Sequence, residues 1–561
     1  MRTHIAAGTT LILGTLAFAT APLASQHEVN VQRTDSVFAT WDRPDSPGCA
    51  VGVIRDGDFV FRKGYGSANL DYEIPITSES VFYIASTSKQ FTAASIALLA
   101  LRGELSLDDD IREYVPEIPE YPHTITIRHL VHHTSGLRDY LTLRGLAGKS
   151  FEDFFDNDWG IELLSRQEAL NFKPGTEYLY SNSGYLLLAE IVERVSGQTL
   201  QEFGKENIFE PFGMHATQWG EDRKAVVPNR VVSYNPRLGG EYRRWVKNFH
   251  AKGDGNLLTT VDDLLQWDRF FYADDPGWSE LRELILTRGV LNEGDTLNYA
   301  FGLSHGEYRD KATVSHGGGF LGFRTEMMRF PDDRFTVIVL CNLAATNPGR
   351  LSRSVADIWL FDDTGVAVAE PEAVTATEST DSIQLSRTEM RRYEGIYTSP
   401  NSPFGDVVIN LGAAGLRAEM SGTTVRLLPA ATDTFNLVNA PVDGRVVFAD
   451  VGDQLTLRLL ADGVPDVPFT KSDFSPMGQE ELAELAGEYH SAELDATYEI
   501  VMRDELWVTL PNGTETKLTQ HGVDEFAASN WKLVLDRDAA GAVIGFTMDA
   551  GRVRGLKFVR G

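Results

Sequence analysis

Cysteines, basic side chains and long apolar runs are all scarce in this chain of 561 residues. There are two cysteines, and neither lies in a motif that indicates a reactive thiol. Lys and Arg number 51 against 80 Asp and Glu, and the net charge of -29 argues against nucleic acid and anionic membranes as partners. Beyond residue 25 no apolar run is long enough to cross a bilayer, so we expect no membrane span.

The first 25 residues have the pattern of a signal peptide. Arg2 gives a small positive segment, Ile5 to Ala19 an apolar segment, and Leu23-Ala24-Ser25 a cleavage site. Glycines and threonines interrupt the apolar segment, which makes a membrane anchor the weaker alternative. We therefore expect a periplasmic or secreted protein.

Three histidines that lie close together in the sequence, His129, His132 and His133, could indicate a metal site. Helical spacing could bring His129 beside either of the others. However, the segment has no His-Glu-x-x-His arrangement and no nearby cysteine. We therefore interpret these residues as scaffold histidines and expect neither a metal nor a cofactor.

The most informative segment is Ser86-Thr87-Ser88-Lys89, at the start of an apolar, alanine-rich run that indicates a helix. Residues three apart share a helix face, so Ser86 and Lys89 would point into the same cleft. Serine needs a neighbour that takes its proton, and a lysine does this if its pKa is lowered. The same spacing occurs at Ser529 and Lys532, but among strand-like residues that would not pair the two side chains.

Two downstream motifs supply context for Ser86 and Lys89. Tyr180-Ser181-Asn182 precedes an apolar helix, and His316-Gly317-Gly318 follows a short strand-like run. In this order the three motifs resemble those of the penicillin-recognising serine hydrolases, which include class C β-lactamases, D,D-carboxypeptidases, D-aminopeptidases and related esterases. The resemblance covers roughly residues 45 to 360.

The resemblance implies a role for each motif residue. Ser86 would form an acyl-enzyme, and Lys89 and Tyr180 would share the proton, with Lys89 or His316 as the cation that lowers the pKa of Tyr180. Asn182 would bind a substrate amide or orient Lys89. The backbone N–H groups of Ser86 and Gly319 would bind the oxyanion, with Gly318 part of the same open glycine run. Taken singly, Ser86 and Asn182 could be helix caps, Tyr180 a core aromatic and His316 a turn residue.

His316 and Gly317 depart from the β-lactamase pattern, in which lysine and threonine face a substrate carboxylate. A neutral histidine and the missing hydroxyl should weaken carboxylate recognition. We therefore expect hydrolysis of amides, peptides or esters, D-aminopeptidase-like or esterase activity in particular, and slow turnover of penicillins. The alternatives are a β-lactamase or D,D-carboxypeptidase, and a non-catalytic protein that binds peptidoglycan peptides.

Gly302-Leu303-Ser304-His305-Gly306 matches a second serine-hydrolase motif, the nucleophile elbow. The elbow functions only where a strand turns into a helix. Here Tyr299 to Leu303 is predicted to be a strand, but a polar hairpin turn at Glu307 to Lys311 follows it. The missing helix argues against Ser304 as the nucleophile.

The fold class expected from the resemblance is α+β, with an antiparallel sheet flanked by helices. Two small antiparallel, lipocalin-like barrels are expected to follow this domain in the chain. The barrels are indicated by an internal repeat that aligns Tyr393 to Tyr397 with Leu485 to Tyr489. The resembling fold pairs its first strand with its last, so Cys49 and Cys341 could be neighbours, and the oligomeric state stays open. We predict these segments: signal peptide 1–25, hydrolase domain 26–364, linker 365–384, and barrels 385–474 and 475–561.

Overall fold

A computed structural model of the chain describes residues 25–220, 224–237, 240–273, 275–361, 385–399, 406–412, 415–420, 423–438, 444–461, 466–472, 477–528 and 530–561. Residues 1–24 of the expected signal peptide, the whole of the expected linker 365–384, and Ser529 lie outside these ranges. Lys532 lies inside them, on a strand.

The N-terminal region combines short and long strands with helices. Its strands are β1 (Cys49–Arg55), β2 (Asp58–Tyr65), β3 (Ser67–Asn69), β4 (Ile74–Pro75), β5 (Phe82–Tyr83), β6 (Gln218–Trp219), β7 (Tyr234–Pro236), β8 (Tyr242–Arg244), β9 (Leu257–Thr259), β10 (Ser304–Tyr308), β11 (Lys311–Phe320), β12 (Phe323–Phe330) and β13 (Phe335–Cys341). Its helices are α1 (Gln26–Phe38), α2 (Lys89–Leu101), α3 (Ile127–Val131), α4 (Tyr140–Leu146), α5 (Asn157–Ser165), α6 (Asn182–Ser196), α7 (Leu200–Gly204), α8 (Glu210–Phe212), α9 (Val261–Phe270), α10 (Ser279–Ile285) and α11 (Pro348–Trp359).

The main sheet is antiparallel, six-stranded, and ordered β10-β11-β12-β13-β1-β2. Alternate residues of β13 belong to two different cores: Ile338 and Leu340 pack with the helical cluster around α2, and Val337 and Val339 pack with α1 and α11. Successive side chains of a strand point to opposite faces, so β13 is apolar throughout because both faces are covered. The expected α+β class is confirmed.

The strands of this sheet that come first and last in the chain, β1 and β13, are joined covalently. Cys49 and Cys341 are direct partners across β1 and β13 and form a disulfide bond, with their Cα atoms 4.0 Å apart. No helix in the described parts of the chain is long and apolar enough to cross a membrane.

The prediction of a strand at Tyr299 to Leu303 is wrong. The strand begins at Ser304 and turns at Arg309-Asp310 into β11. Gly302 has a φ of +70° and lies so close to the start of α2 that a β-carbon would be 2.4 Å from the backbone nitrogen of Gln90. This segment therefore packs against a helix end, and Ser304 opens a strand with no elbow geometry.

Two barrel-like sheets follow, as expected. The first is closed and comprises β14 (Gly395–Thr398), β15 (Val407–Gly412), β16 (Gly415–Met420), β17 (Thr423–Ala431), β18 (Thr434–Val438), β19 (Gly444–Val451), β20 (Gln454–Ala461) and β21 (Pro468–Lys471). The second comprises β22 (Gly487–Ser491), β23 (Ala496–Met502), β24 (Leu506–Thr509), β25 (Glu515–Lys517), β26 (Thr519–Gln520), β27 (Glu525–Ala528), β28 (Trp531–Arg537), β29 (Val543–Ala550) and β30 (Val553–Arg560).

The second sheet is ordered β25-β24-β23-β22-β30-β29-β28-β27-β26, and its edge strands β25 and β26 are separated in the chain by Leu518 alone, so the sheet is nearly closed. A short helix precedes each barrel, α12 (Arg387–Met390) and α13 (Gln479–Ala483). The sequence repeat has a structural counterpart, because the hydroxyls of Tyr397 and Tyr489 donate to the carbonyls of Tyr393 and Leu485 at 2.9 and 2.8 Å.

The second barrel is attached to the hydrolase region through a buried ion pair. Arg138 contacts the Glu493 carboxylate, and both side chains are almost wholly buried. The same guanidinium donates to the backbone oxygens of Arg554 and Gly555 at 3.0 and 2.8 Å. Asn171 adds a hydrogen bond from its side-chain amide to the Arg552 carbonyl at 2.9 Å. These contacts place the turn between β29 and β30 beside the cleft.

Candidate active site

The Ser86 and Lys89 side chains meet where a tight turn enters α2. Residues Ala85–Ser88 form one 3₁₀ turn, and Lys89 is the first residue of the α-helix. The Lys89 Nζ lies 3.2 Å from the Ser86 Oγ. Helix α2 is buried along almost its whole length, and the Lys89 side chain at its start is buried as well.

Lys89 donates to two further acceptors, the Asn182 Oδ1 at 2.9 Å and the Asp254 carbonyl at 2.7 Å. Burial is the main cause that lowers the pKa of Lys89 to about 8; the charge of Arg552 acts in the same direction, and the charges of Asp254 and Asp139 oppose it. A neutral amine has two N–H bonds and one lone pair. With both N–H bonds directed to Asn182 and Asp254, the lone pair points towards Ser86.

Asn182 is held in one orientation by a buried carboxylate. The Asp139 Oδ2 accepts from the Asn182 backbone N–H at 2.7 Å and from its Nδ2 at 2.9 Å. Because the amide nitrogen faces Asp139, the amide oxygen faces Lys89. Of the two roles expected for Asn182, this geometry fits the orientation of Lys89.

The Tyr180 phenol lies against both catalytic-motif residues and a residue of the second barrel. Its hydroxyl is hydrogen-bonded to Ser86, and the Arg552 guanidinium lies 4.8 Å from its ring. Burial raises the pKa of Tyr180 above its ordinary value, while the Ser86 bond and the Arg552 charge oppose the rise. The expected cations were Lys89 and His316, and sequence reasoning missed Arg552.

His316 is uncharged near neutral pH, because burial and the Lys89 charge lower its pKa to about 4. Its Nδ1 lies 2.6 Å from the Gly317 carbonyl and its Nε2 lies 3.1 Å from the Tyr299 hydroxyl. A neutral ring has one donor nitrogen, so Nδ1 donates to Gly317 and Nε2 accepts from Tyr299. His316 is thus fixed at the cleft as a polar, neutral group.

The glycine run after His316 lies at a free strand edge. Strand β10 pairs with β11 only as far as Ser315, so in the described structure residues 316–320 have a strand partner on one side, β12. At Gly318 a β-carbon would lie 2.3 Å from the Ile84 carbonyl, which explains why this position has no side chain. The absence of side chains brings the backbone around Gly319 close to the Ser86 turn.

These residues line a cavity of about 530 Å³ with chemically different ends. Near Gly319 the lining is aromatic, because the next residue, Phe320, packs against Tyr83 and Phe249. Near His316 the lining is more polar: Ser304 is the cross-strand partner of Ser315, Glu326 is the partner of Gly317, and the Tyr299 hydroxyl contacts His316. Asp254 and Arg552 also line the cavity.

The three neighbouring histidines each have a separate structural contact. His129 caps α3 through the Thr126 backbone, and His132 lies between the carbonyls of Arg128 and Thr287. His133 accepts from the Ser181 backbone N–H at 3.1 Å and stacks 4.2 Å from the Tyr180 ring. Within the residues that the structure describes, no group of three His, Cys, Asp or Glu residues is arranged to hold a metal ion.

Four functional candidates escaped sequence reasoning: Asp139, Asp254, Glu326 and Arg552. Asp254 lies within Gly253-Asp254-Gly255-Asn256, a glycine-rich segment that could have drawn attention to it. Arg552 follows Gly551 where the first repeat copy has Gly463-Val464. For Asp139 and Glu326 the sequence offers no comparable signal.

A helix-flanked antiparallel sheet that presents a partly buried serine–lysine–tyrosine cluster beside its free edge defines an enzyme of the serine hydrolase type. Residues 35–358 match the family described as Beta-lactamase. The match covers more than half of the chain, so the protein belongs to that family.

The relatives cover different shares of the chain. A D-aminopeptidase of Brucella canis is 26% identical over 534 residues, 92% of this chain and 96% of that protein. Penicillin-binding protein 4* of Bacillus subtilis is 33% identical over 322 residues, 55% of this chain and 70% of that protein. The octameric penicillin-binding protein homologue from Pyrococcus abyssi has a TM-score of 0.53 at 21% identity, over 80% of this chain and 99% of that one.

Proposed function

We propose that this protein hydrolyses amides and short peptides through an acyl-enzyme on Ser86, with the preference of a D-aminopeptidase and some activity on esters. The observation that carries the proposal is the Lys89 amine, 3.2 Å from the Ser86 Oγ and fixed by two further acceptors. A lysine with a pKa of about 8 is partly neutral at physiological pH and is available as a base.

In the acylation step, the Ser86 Oγ attacks the substrate carbonyl carbon as its proton passes to the Lys89 amine. The carbonyl oxygen becomes an oxyanion that the backbone N–H groups of Ser86 and Gly319 stabilise. When the tetrahedral intermediate collapses, the C–N bond breaks and the Tyr180 phenol protonates the leaving amine. The Lys89 proton then passes to the Tyr180 phenolate, and both groups return to their starting state.

In deacylation, a water molecule replaces the amine and the same groups work in reverse. The Tyr180 phenol passes its proton to Lys89 as it takes one proton from the water, and the water oxygen attacks the acyl carbon. Lys89 then returns a proton to the Ser86 Oγ as the acyl C–O bond breaks and the acid leaves. The Arg552 charge supports the brief phenolate on Tyr180, because it lowers the pKa that burial raises.

Two observations support the D-aminopeptidase preference over a β-lactamase or D,D-carboxypeptidase. The D-aminopeptidase of Brucella canis aligns over almost the whole chain, whereas the penicillin-binding relative aligns over 55% of it. In addition, His316 is neutral and Gly317 has no hydroxyl, so neither offers what a substrate carboxylate would bind.

The test compares Ser86→Ala with Ser304→Ala on D- and L-amino-acid amides, short esters and penicillins, with intact mass to detect acyl-Ser86. We expect D-amides to be turned over fastest and only Ser86→Ala to abolish both turnover and the adduct. Turnover of penicillins at the rate of D-amides would favour a β-lactamase. A chain that binds D-peptides without any adduct would be the non-catalytic binding protein.

The disulfide supports export to the periplasm or outside the cell, because disulfides persist mainly in oxidising compartments. Mass spectrometry of the protein from separated cell fractions, without reductant, tests this. Intact protein with free thiols in the cytoplasmic fraction would contradict it.

A further inference from the structure

Gly317 leaves a space in the cleft wall that a carboxylate occupies. Gly317 on β11 is the direct partner of Glu326 on β12. A β-carbon at Gly317 would lie 2.6 Å from the Glu326 Oε2, so the carboxylate occupies the place that any larger residue would need. The same oxygen would be 3.8 Å from a β-carbon on Gly349, at the start of α11.

Glu326 lies at the polar end of the cavity, with Ser304 and Ser315. Its carboxylate is hydrogen-bonded to the Ser315 side chain, and Arg353 on α11 is the cation that acts on it. Burial outweighs that cation and raises the pKa of Glu326 to about 7, so the group is ionised in mildly alkaline solution.

The polar end is where a leaving group would lie. The oxyanion position proposed above is beside Gly319, and the proton donor Tyr180 packs against His316, with ring centroids 6.2 Å apart. A leaving group must reach the Tyr180 hydroxyl, so it extends from the scissile carbon towards His316, Gly317 and Glu326. The acyl side chain then extends towards the apolar end.

We propose that Glu326 is a specificity-determining residue: its carboxylate accepts hydrogen bonds from N–H donors of the leaving group and repels a leaving group that carries a carboxylate. This inference rests on the proposed acyl-enzyme function and adds the chemistry of the departing group. Peptide amides and amines fit this end of the cleft, and free peptide C-termini do not.

The test uses two pairs of substrates at pH 8.5. The two members of each pair differ only in whether the leaving group carries a carboxylate or a neutral carboxamide. One pair is an apolar D-aminoacyl-alanine with either a free carboxylate or a carboxamide. The second pair is the 3-carboxyphenyl and 3-carbamoylphenyl esters of one acid, which does not depend on peptide hydrolysis. We expect the wild type to favour the carboxamide member by about tenfold in kcat/KM, because placing like charges together is costly.

Glu326→Gln should reduce this preference to less than about threefold, since the amide keeps the shape and removes the charge. Glu307→Gln is the matched control, because it changes the net charge equally at an exposed position of the same sheet and should keep the wild-type preference. If Glu326→Gln does not fold, Glu326→Ala replaces it, and the wild-type ratio is a test without any variant.

Equal rates for both members of a pair, or a wild-type preference for the carboxylate, would overturn the role of Glu326. An unchanged preference in Glu326→Gln would do the same. Acylation by the esters but not the peptides would contradict the proposed amide activity, while the ester ratio would still decide on Glu326. If no substrate acylates Ser86, both proposals fail together.

Discussion

The two barrels begin in the same way but use a similarly exposed arginine differently. In the first barrel Arg392, 43% exposed, pairs with Asp433 and Asp450 of its own sheet. In the second Arg552, 42% exposed, leaves its sheet and lies over the Tyr180 ring, 3.8 Å from the Asp139 carboxylate. The difference shows that one copy of a repeated fold can supply a residue to the wall of the active site, while an arginine of the other copy forms ion pairs within its own barrel.

Replacement of Lys89 should have the largest effect and sets the scale for the barrel variants. Lys89→Met should lower kcat/KM by a factor of about 10² to 10⁴, which is the usual contribution of a positioned general base. In the wild type, kcat/KM should rise with pH and level off above about 8, because Lys89 is active only when neutral. A pH–rate profile measures both, and an unchanged acid limb in Lys89→Met would contradict Lys89 as the base.

Loss of the buried ion pair at the second barrel should have the next largest effect. Glu493→Gln leaves the buried Arg138 charge without its counter-ion, which costs about 3–5 kcal/mol of unfolding free energy. Denaturant unfolding measures this cost, and kcat/KM should fall as the Arg552 turn loses its support. Glu488→Gln, exposed on β22, is the control and should change neither quantity.

Removal of the Arg552 charge should have a smaller effect than either. Arg552 lowers the pKa of Lys89, so Arg552→Met should move the acid limb of the pH–rate profile to higher pH. The loss of kcat/KM at pH 7 should stay below about tenfold, the equivalent of one pKa unit. Arg552→Lys keeps the charge and should keep the limb, whereas a limb at the wild-type position in Arg552→Met would refute this role.

The smallest effect is expected for Arg392, the similarly exposed arginine of the first barrel. Arg392→Met breaks exposed ion pairs, each of which contributes about 0–1 kcal/mol of stability. We expect unaltered kcat/KM and pH dependence. A loss as large as that of Arg552→Met would show that the first barrel also influences the cleft.

The sequence predicted what lies within short motifs. Ser86 and Lys89 are one helical turn apart, and the alignment of Tyr393 to Tyr397 with Leu485 to Tyr489 indicated the two barrels. The partners of these motifs could not be predicted in the same way. Asp139 approaches Asn182 only because α4 and α6 pack together, and Glu326 approaches Gly317 only through the register of β11 and β12.

Arg552 was difficult to foresee, because the one local signal is that it stands where the first repeat copy has Val464. Its approach to Tyr180 depends on Arg138, Glu493 and Asn171, which attach the barrel to the hydrolase region. The strand wrongly predicted before Ser304 had a related cause, since the packing of Gly302 against α2 outweighed local strand propensity.

The disulfide between Cys49 and Cys341 makes the chain between them a closed covalent ring. Ser86, Lys89, Asn182 and Glu326 all lie within the ring, and Arg552 lies outside it. One cut by a protease inside the ring leaves the catalytic residues in a single covalent piece, while one cut between the ring and the second barrel releases Arg552. The ring also restricts the unfolded chain, which in the chain-entropy model favours the folded state by about 6 kcal/mol for a loop of this length.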